Sequence, residues 1–83
     1  MILYFSTPTC APCKTFQPVV REVQSELGVF VQYIDAQANT ALAQKYAVSV
    51  VPTIIVENGG NVVYRNSGVM SKPQLKQILS QFR

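Results

Sequence analysis

Residues 2–28 constrain the fold more than any other stretch of the chain. Ile2-Leu3-Tyr4-Phe5 is a short, β-favouring apolar run that stops at Ser6-Thr7-Pro8, the pattern of a strand buried in the middle of a sheet. From Cys13 onward Phe16, Val19, Val20, Val23 and Leu27 recur in steps of three, one, three and four, which lays one apolar stripe along a helix that Gly28 closes. Pro18 falls inside that stripe without disturbing its phase, so a kink is expected rather than a stop. Between strand and helix sits Cys10-Ala11-Pro12-Cys13. A strand, a turn bearing two cysteines and an amphipathic helix form the front half of a βαβ unit, and 83 residues leave room for one compact domain, residues 1–83, built on it.

The rest of the chain continues the alternation. Val29 to Asp35 reads as a second strand with Val29, Val31 and Tyr33 on one face and Phe30 and Ile34 on the other, so both faces are expected to be covered. Asn39 to Tyr46 reads as a short helix. Val50-Val51-Pro52 leads into a third strand, Thr53 to Val56. Asn58-Gly59-Gly60 signals a hairpin, and Asn61 to Arg65 returns antiparallel as a fourth strand. Ser71-Lys72-Pro73-Gln74 has the form of a capping box, and Leu75, Ile78, Leu79 and Phe82 carry the buried stripe of the last helix. The order βαβαββα implies an α/β domain with a mixed four-stranded sheet and helices on both faces.

Composition narrows the chemistry. Apolar residues make up 48% and charged residues 13%, too hydrophobic for disorder, yet no apolar run approaches the roughly 18 residues that cross a bilayer. Lys14, Arg21, Lys45, Arg65, Lys72, Lys76 and Arg83 outnumber four acids to give +3 but are scattered, so they form solvated faces and not a nucleic-acid stripe. With no histidine there is no imidazole base and no His-containing metal site within one chain. The N-terminus carries no signal-peptide pattern, so the two cysteines are expected to meet a reducing, cytoplasmic setting, where a retained pair is expected to be chemical rather than structural.

Placement explains that chemistry. Cys10, at the cap of the first helix, lies beside unpaired N–H groups and the positive end of the helix dipole, both of which favour thiolate. Cys13 lies one turn along, within reach of a disulfide, and Pro12 falls in the first turn, where its missing N–H costs nothing. Three plainer readings fit less well. A structural disulfide would close too small a loop and would be open in a reducing compartment. Zinc would need four ligands, hence a second chain, and coincidental core cysteines suit the position poorly. A redox dithiol remains.

These segments together resemble a short member of the thioredoxin family, from Ile2 to Phe82. The resemblance rests on the strand followed by Cys10-Ala11-Pro12-Cys13-Lys14, on Pro18, on Tyr33-Ile34-Asp35 and on Lys45-Tyr46-Ala47-Val48. Val51-Pro52-Thr53, Gly60, and Gly68 followed by Ser71-Lys72 complete it. It implies a thioredoxin fold without the N-terminal strand and helix of full-length members. It further implies Cys10 as nucleophile, Cys13 as resolving thiol, and a cis Pro52 beside them. A substrate chain would pair next to Val51, in a groove lined by Thr9, Ala11, Pro12, Val51, Pro52 and Gly68. The X–Pro bond, which concedes only about 0.5 to 1 kcal/mol to cis, and the β-branched residues around it are compatible with that role.

The departures are as informative. Tyr4 stands where family members bury an aspartate that relays the second cysteine's proton, and Val31 replaces its partner lysine. Tyr4 is therefore expected to be core packing with a hydrogen-bonded hydroxyl. Thr9 replaces tryptophan and Ala11 replaces the usual glycine. Size and the Tyr4-Phe5-Ser6-Thr7-Pro8 opening also resemble glutaredoxins, but Gly68-Val69-Met70-Ser71 offers one glycine and no acid for glutathione. The expected function is reduction of protein disulfides, with no cofactor or metal, by a monomer reset by a thioredoxin-reductase-type enzyme or by glutathione. A glutathione-dependent oxidoreductase and a non-catalytic binding module are the alternatives.

Overall fold

The computed structural model describes residues 1–82. It contains β1 (Ile2–Ser6), α1 (Ala11–Leu27), β2 (Val31–Asp35), α2 (Thr40–Lys45), β3 (Thr53–Asn58), β4 (Asn61–Ser67) and α3 (Lys72–Leu79), followed by a 3-10 turn, Ser80–Phe82. The sheet order is β2-β1-β3-β4. β1 pairs in parallel with β2 and antiparallel with β3, and β3 pairs antiparallel with β4. No helix among the described residues is long and apolar enough to cross a membrane.

Period-2 alternation in β1 sends its side chains to two separate cores. Ile2 and Tyr4 join Phe16, Val20 and Val23 of α1 and Leu75 and Leu79 of α3 on one face. Leu3 and Phe5 join Ile34, Ile55, Ala43 and Tyr46 on the other, under α2. α1 and α3 are further joined at their rims, where Lys72 Nζ lies 3.0 Å from Glu22 and 2.6 Å from Glu26, and Lys76 Nζ lies 2.9 Å from Glu26. α1 runs unbroken through Pro18 and ends on Gly28, whose left-handed φ of 67° lets its N–H return to the Gln24 carbonyl at 2.9 Å.

That helix end corrects one expectation. Val29 also donates to the Gln24 carbonyl, at 3.2 Å, so the helix closure claims it and β2 begins only at Val31. Phe30, expected to be covered, is 73% exposed, because β2 is an edge strand and the short α2 lies toward its other end. β4 instead runs past Arg65 to Ser67, since Asn66 and Ser67 still find partners in Ile54 and Thr53. The hairpin turns through Gly59 (φ 60°) and Gly60 (φ 84°), the two positive φ angles that a tight two-residue connection requires. The last helix gives way after Leu79 to a 3-10 turn, where Ser80 Oγ donates to the Gln77 carbonyl at 2.8 Å.

This packing is open to two tests. Leu75 is fully buried between α3 and the sheet, so Leu75→Ala should lower unfolding stability by about 2–5 kcal/mol in urea titration. Hydrogen bonds from Lys72 and Lys76 lower the Glu26 carboxyl from 4.5 to about 2. A depressed folded value means that the contribution is complete above about 4.5 and disappears as pH falls toward 2. An NMR titration should place Glu26 well below the ordinary carboxylate range and return it to that range in a Lys72→Ala/Lys76→Ala variant.

Candidate functional site

The strand register gathers the expected site at one end of the sheet. β1 ends at Ser6, whose antiparallel neighbour β3 begins where Phe5 pairs with Thr53, and Thr53 in turn pairs with Ser67 at the end of β4. The turns 7–10, 50–52 and 68–70 therefore leave the sheet side by side.

In the first of these, Cys10 donates its N–H to the Thr7 carbonyl at 3.2 Å and takes up an extended conformation as the N-cap of α1. Its carbonyl accepts the first helical bond from Lys14, at 3.2 Å, and its sulfur accepts from the Cys13 N–H at 3.1 Å. The sulfur thus replaces the oxygen of an ordinary cap and faces the donor end of the helix. No acid lies in the first turn, so the dipole there is unopposed. Cys10 and Cys13 are disulfide-bonded with Cα atoms 5.2 Å apart. Cys10 is half-buried and Cys13 is 2% exposed, while Thr9, Ala11 and Pro12 form an exposed rim around them.

Across from this turn the Val51-Pro52 peptide is cis and Pro52 is buried. The Pro52 carbonyl accepts from the Gly68 N–H at 2.8 Å, and Gly68 has φ 93°, which explains a glycine there in backbone terms. The Thr53 hydroxyl donates to the Val50 carbonyl at 2.6 Å and lies 3.3 Å from Ser67 Oγ. Thr53 is thereby a buried clamp between the two loops, a role that sequence reading did not assign. Its signals were its place in the Val51-Pro52-Thr53 match and a polar β-branched residue opening an apolar strand. Val50 and Val69, which flank the expected groove residues Val51 and Gly68, are 53% and 58% exposed and were likewise not singled out.

Beneath the dithiol, Tyr4 is fully buried and donates its hydroxyl to the Cys13 carbonyl at 3.2 Å. Its ring is tilted against Phe16 and edge-on to Tyr33, with centroids 6.1 and 5.7 Å away. Burial first, then the neighbouring Tyr33, pushes the Tyr4 phenol up to about 12, so it stays a donor at any neutral pH. Val31 packs in the same core. The expectation of a packed tyrosine with a satisfied hydroxyl therefore holds, and its partner turns out to be the backbone of the second cysteine itself.

The thioredoxin family model matches residues 1–81. The thioredoxin of Bacillus subtilis is 34% identical over 79 residues, which is 93% of this chain and 76% of that protein. That of Chlamydia trachomatis is 30% identical over 82 residues, covering 98% and 80%. Among solved structures, a mutant thioredoxin from Halobacterium salinarum superposes with a TM-score of 0.90 at 30% identity, covering 98% of this chain and 72% of that one. Thioredoxin 1 from Thermosipho africanus, at 21% identity and TM-score 0.85, shares the fold over 98% of this chain and 91% of its own. Because these matches take in the sheet and all three helices as well as the cysteine turn, the chain belongs to the thioredoxin family and is, by that membership and its cysteine pair, a thiol–disulfide oxidoreductase that reduces disulfides.

Proposed function

We propose that residues 1–83 form one domain, Arg83 lying outside the described residues, that reduces disulfides in extended protein segments with Cys10 as nucleophile and Cys13 as resolving thiol. The observation that carries the assignment is the unequal access of the pair: Cys10 is half-buried at the cap, and Cys13 is almost fully buried one turn on. Cys10 thiolate attacks one sulfur of the substrate disulfide, forming a mixed disulfide and expelling the other sulfur. Cys13 then attacks Cys10, the mixed disulfide breaks, and the substrate leaves as a dithiol while Cys10–Cys13 becomes the disulfide.

Thr9, Ala11, Pro12, Val51, Pro52 and Gly68 supply the substrate groove, with the Val51 backbone available to a strand-like segment. Exposed Val50 and Val69 extend its apolar rim. All of these residues come from one chain, which supports a protein acting as a monomer. The electron donor is a thioredoxin-reductase-type enzyme in preference to glutathione, since residues 68–71 contain one glycine and no acid. In the cell this amounts to cytoplasmic electron transport in the service of redox homeostasis.

Insulin reduction driven by dithiothreitol should be lost in Cys10→Ser, whereas Cys13→Ser should accumulate mixed disulfides visible by mass. Limiting iodoacetamide on the reduced protein should label Cys10 first, and preferential labelling of Cys13 would reverse the two roles. Supplied with either donor system, the native protein should turn over faster with thioredoxin reductase than with glutathione. The opposite ranking would move it to the glutaredoxin-like reading.

A further inference from the structure

For Cys13 to resolve a mixed disulfide its thiol must lose a proton, because the thiolate is the nucleophile, and a site 2% exposed disfavours that charge. The side chains that could take the proton are few. The sequence has four acids and no histidine. Glu22 and Glu26 are engaged by Lys72 and Lys76 along the α1–α3 rim. Glu57 is in contact with the Tyr46 hydroxyl, and Tyr46 packs in the core under α2. Asp35 lies at the reactive end, in register with Ser6, but its Oδ1 accepts the N–H groups of Gln37 and Ala38 at 2.9 and 3.3 Å.

The other titratable groups on α1 and on the elements around it are donors or cations. From β1, Tyr4 already donates its proton to the Cys13 carbonyl. From β2, Tyr33 donates to Gln24 Oε1 at 2.7 Å, with the Arg21 guanidinium 4.6 Å from its ring centroid. On α1 itself Lys14 is exposed to solvent. On α3 Lys72 and Lys76 face Glu22 and Glu26, and β4 contributes Tyr64, which packs against Phe82.

We propose that Tyr4 is a positioning residue, its hydroxyl holding the first turn of α1 at the Cys13 carbonyl, and that the Cys13 proton passes to water and to no side chain, so that substrate release is governed by pH. The inference rests on Cys13 being the resolving thiol. The step balances without a co-reactant. Cys13 gives its proton to water, its sulfur bonds to Cys10 Sγ, the bond from Cys10 to the substrate sulfur breaks, and the substrate sulfur departs with the electron pair and is protonated by solvent according to its own pKa. Below the thiol's own pKa the thiolate fraction, and with it the release rate, rises about tenfold per pH unit. At lower pH the protein holds its substrate covalently for longer.

Stopped-flow mixing of the reduced protein with a chromogenic aromatic disulfide separates the steps: one coloured thiolate is released as Cys10 attacks and a second as Cys13 resolves. The second phase should accelerate about tenfold per unit between about pH 6 and pH 8, below the ordinary thiol value of about 8.5. Tyr4→Phe keeps the ring and the core. It should slow the second phase roughly fivefold, the equivalent of one hydrogen bond, at every pH with the slope unchanged. Asp35→Asn should leave the profile as it is, and Tyr4→Asp should raise the neutral rate and flatten the slope. A pH-independent second phase in the native protein, or a slope altered by Asp35→Asn, would overturn the solvent route. A Tyr4→Phe rate equal to native at every pH would overturn the positioning role. If Cys10→Ser kept the first phase, the assignment of the two cysteines would be at fault, and that outcome is distinct from a change confined to the second phase.

Discussion

The reactive end of this molecule depends on β1 being immobilised on four sides. Its backbone bonds to β2 on one edge and β3 on the other, and its side chains are buried alternately under α1 and α3 and under α2. A strand held in this way delivers Ser6 to a fixed point, and only three residues separate that point from the cap of α1. The cap itself is closed by sulfur: the Cys13 N–H has no helical carbonyl to bond and takes the Cys10 sulfur instead. The geometry that makes the disulfide therefore also satisfies the helix end.

The second half of the site is fixed by different means. The loop that carries Pro52 and the turn at Gly68 have no helix to anchor them, yet both leave the sheet at the same end as the cysteine turn. They are bound to each other through the Pro52 carbonyl and the Gly68 N–H, and through the Thr53 hydroxyl, which reaches both Val50 and Ser67. These are buried or half-buried bonds at the start of a central strand, where an unpaired group would be costly. An exposed valine on each side, Val50 and Val69, flanks these bonds.

Much of this was legible in the residues. The apolar period of α1, the apolar run of β1, the two glycines of the hairpin and the Ser71 cap each name their element from local chemistry, and each stands where it was read. The cysteine pair was legible for the same reason, since its meaning lies in the short distance between strand and helix. What could not be read depends on contacts distant in sequence. Phe30 follows the strand pattern, but the closure of α1 at Gly28 and the edge position of β2 expose it. Tyr4 announced a hydrogen bond without a partner, because the Cys13 carbonyl comes within reach only once α1 is laid on the sheet.

Tyr4 also shows what a chain this small can place under its reactive pair. A carboxylate buried there would need a cation beside it, and an ion pair enclosed in so small a core carries the desolvation penalty of both partners. Tyrosine avoids that penalty. Its ring fills the space between Phe16 and Tyr33, and its hydroxyl finds a neutral acceptor, so no charge is buried. The acids are left for the surface, where Glu22 and Glu26 hold α3 against α1. Packing beneath Cys13 thus puts a neutral donor where a charge would be costly, and with Cys13 in the resolving role proposed above its proton would go to solvent on the side of the half-buried Cys10.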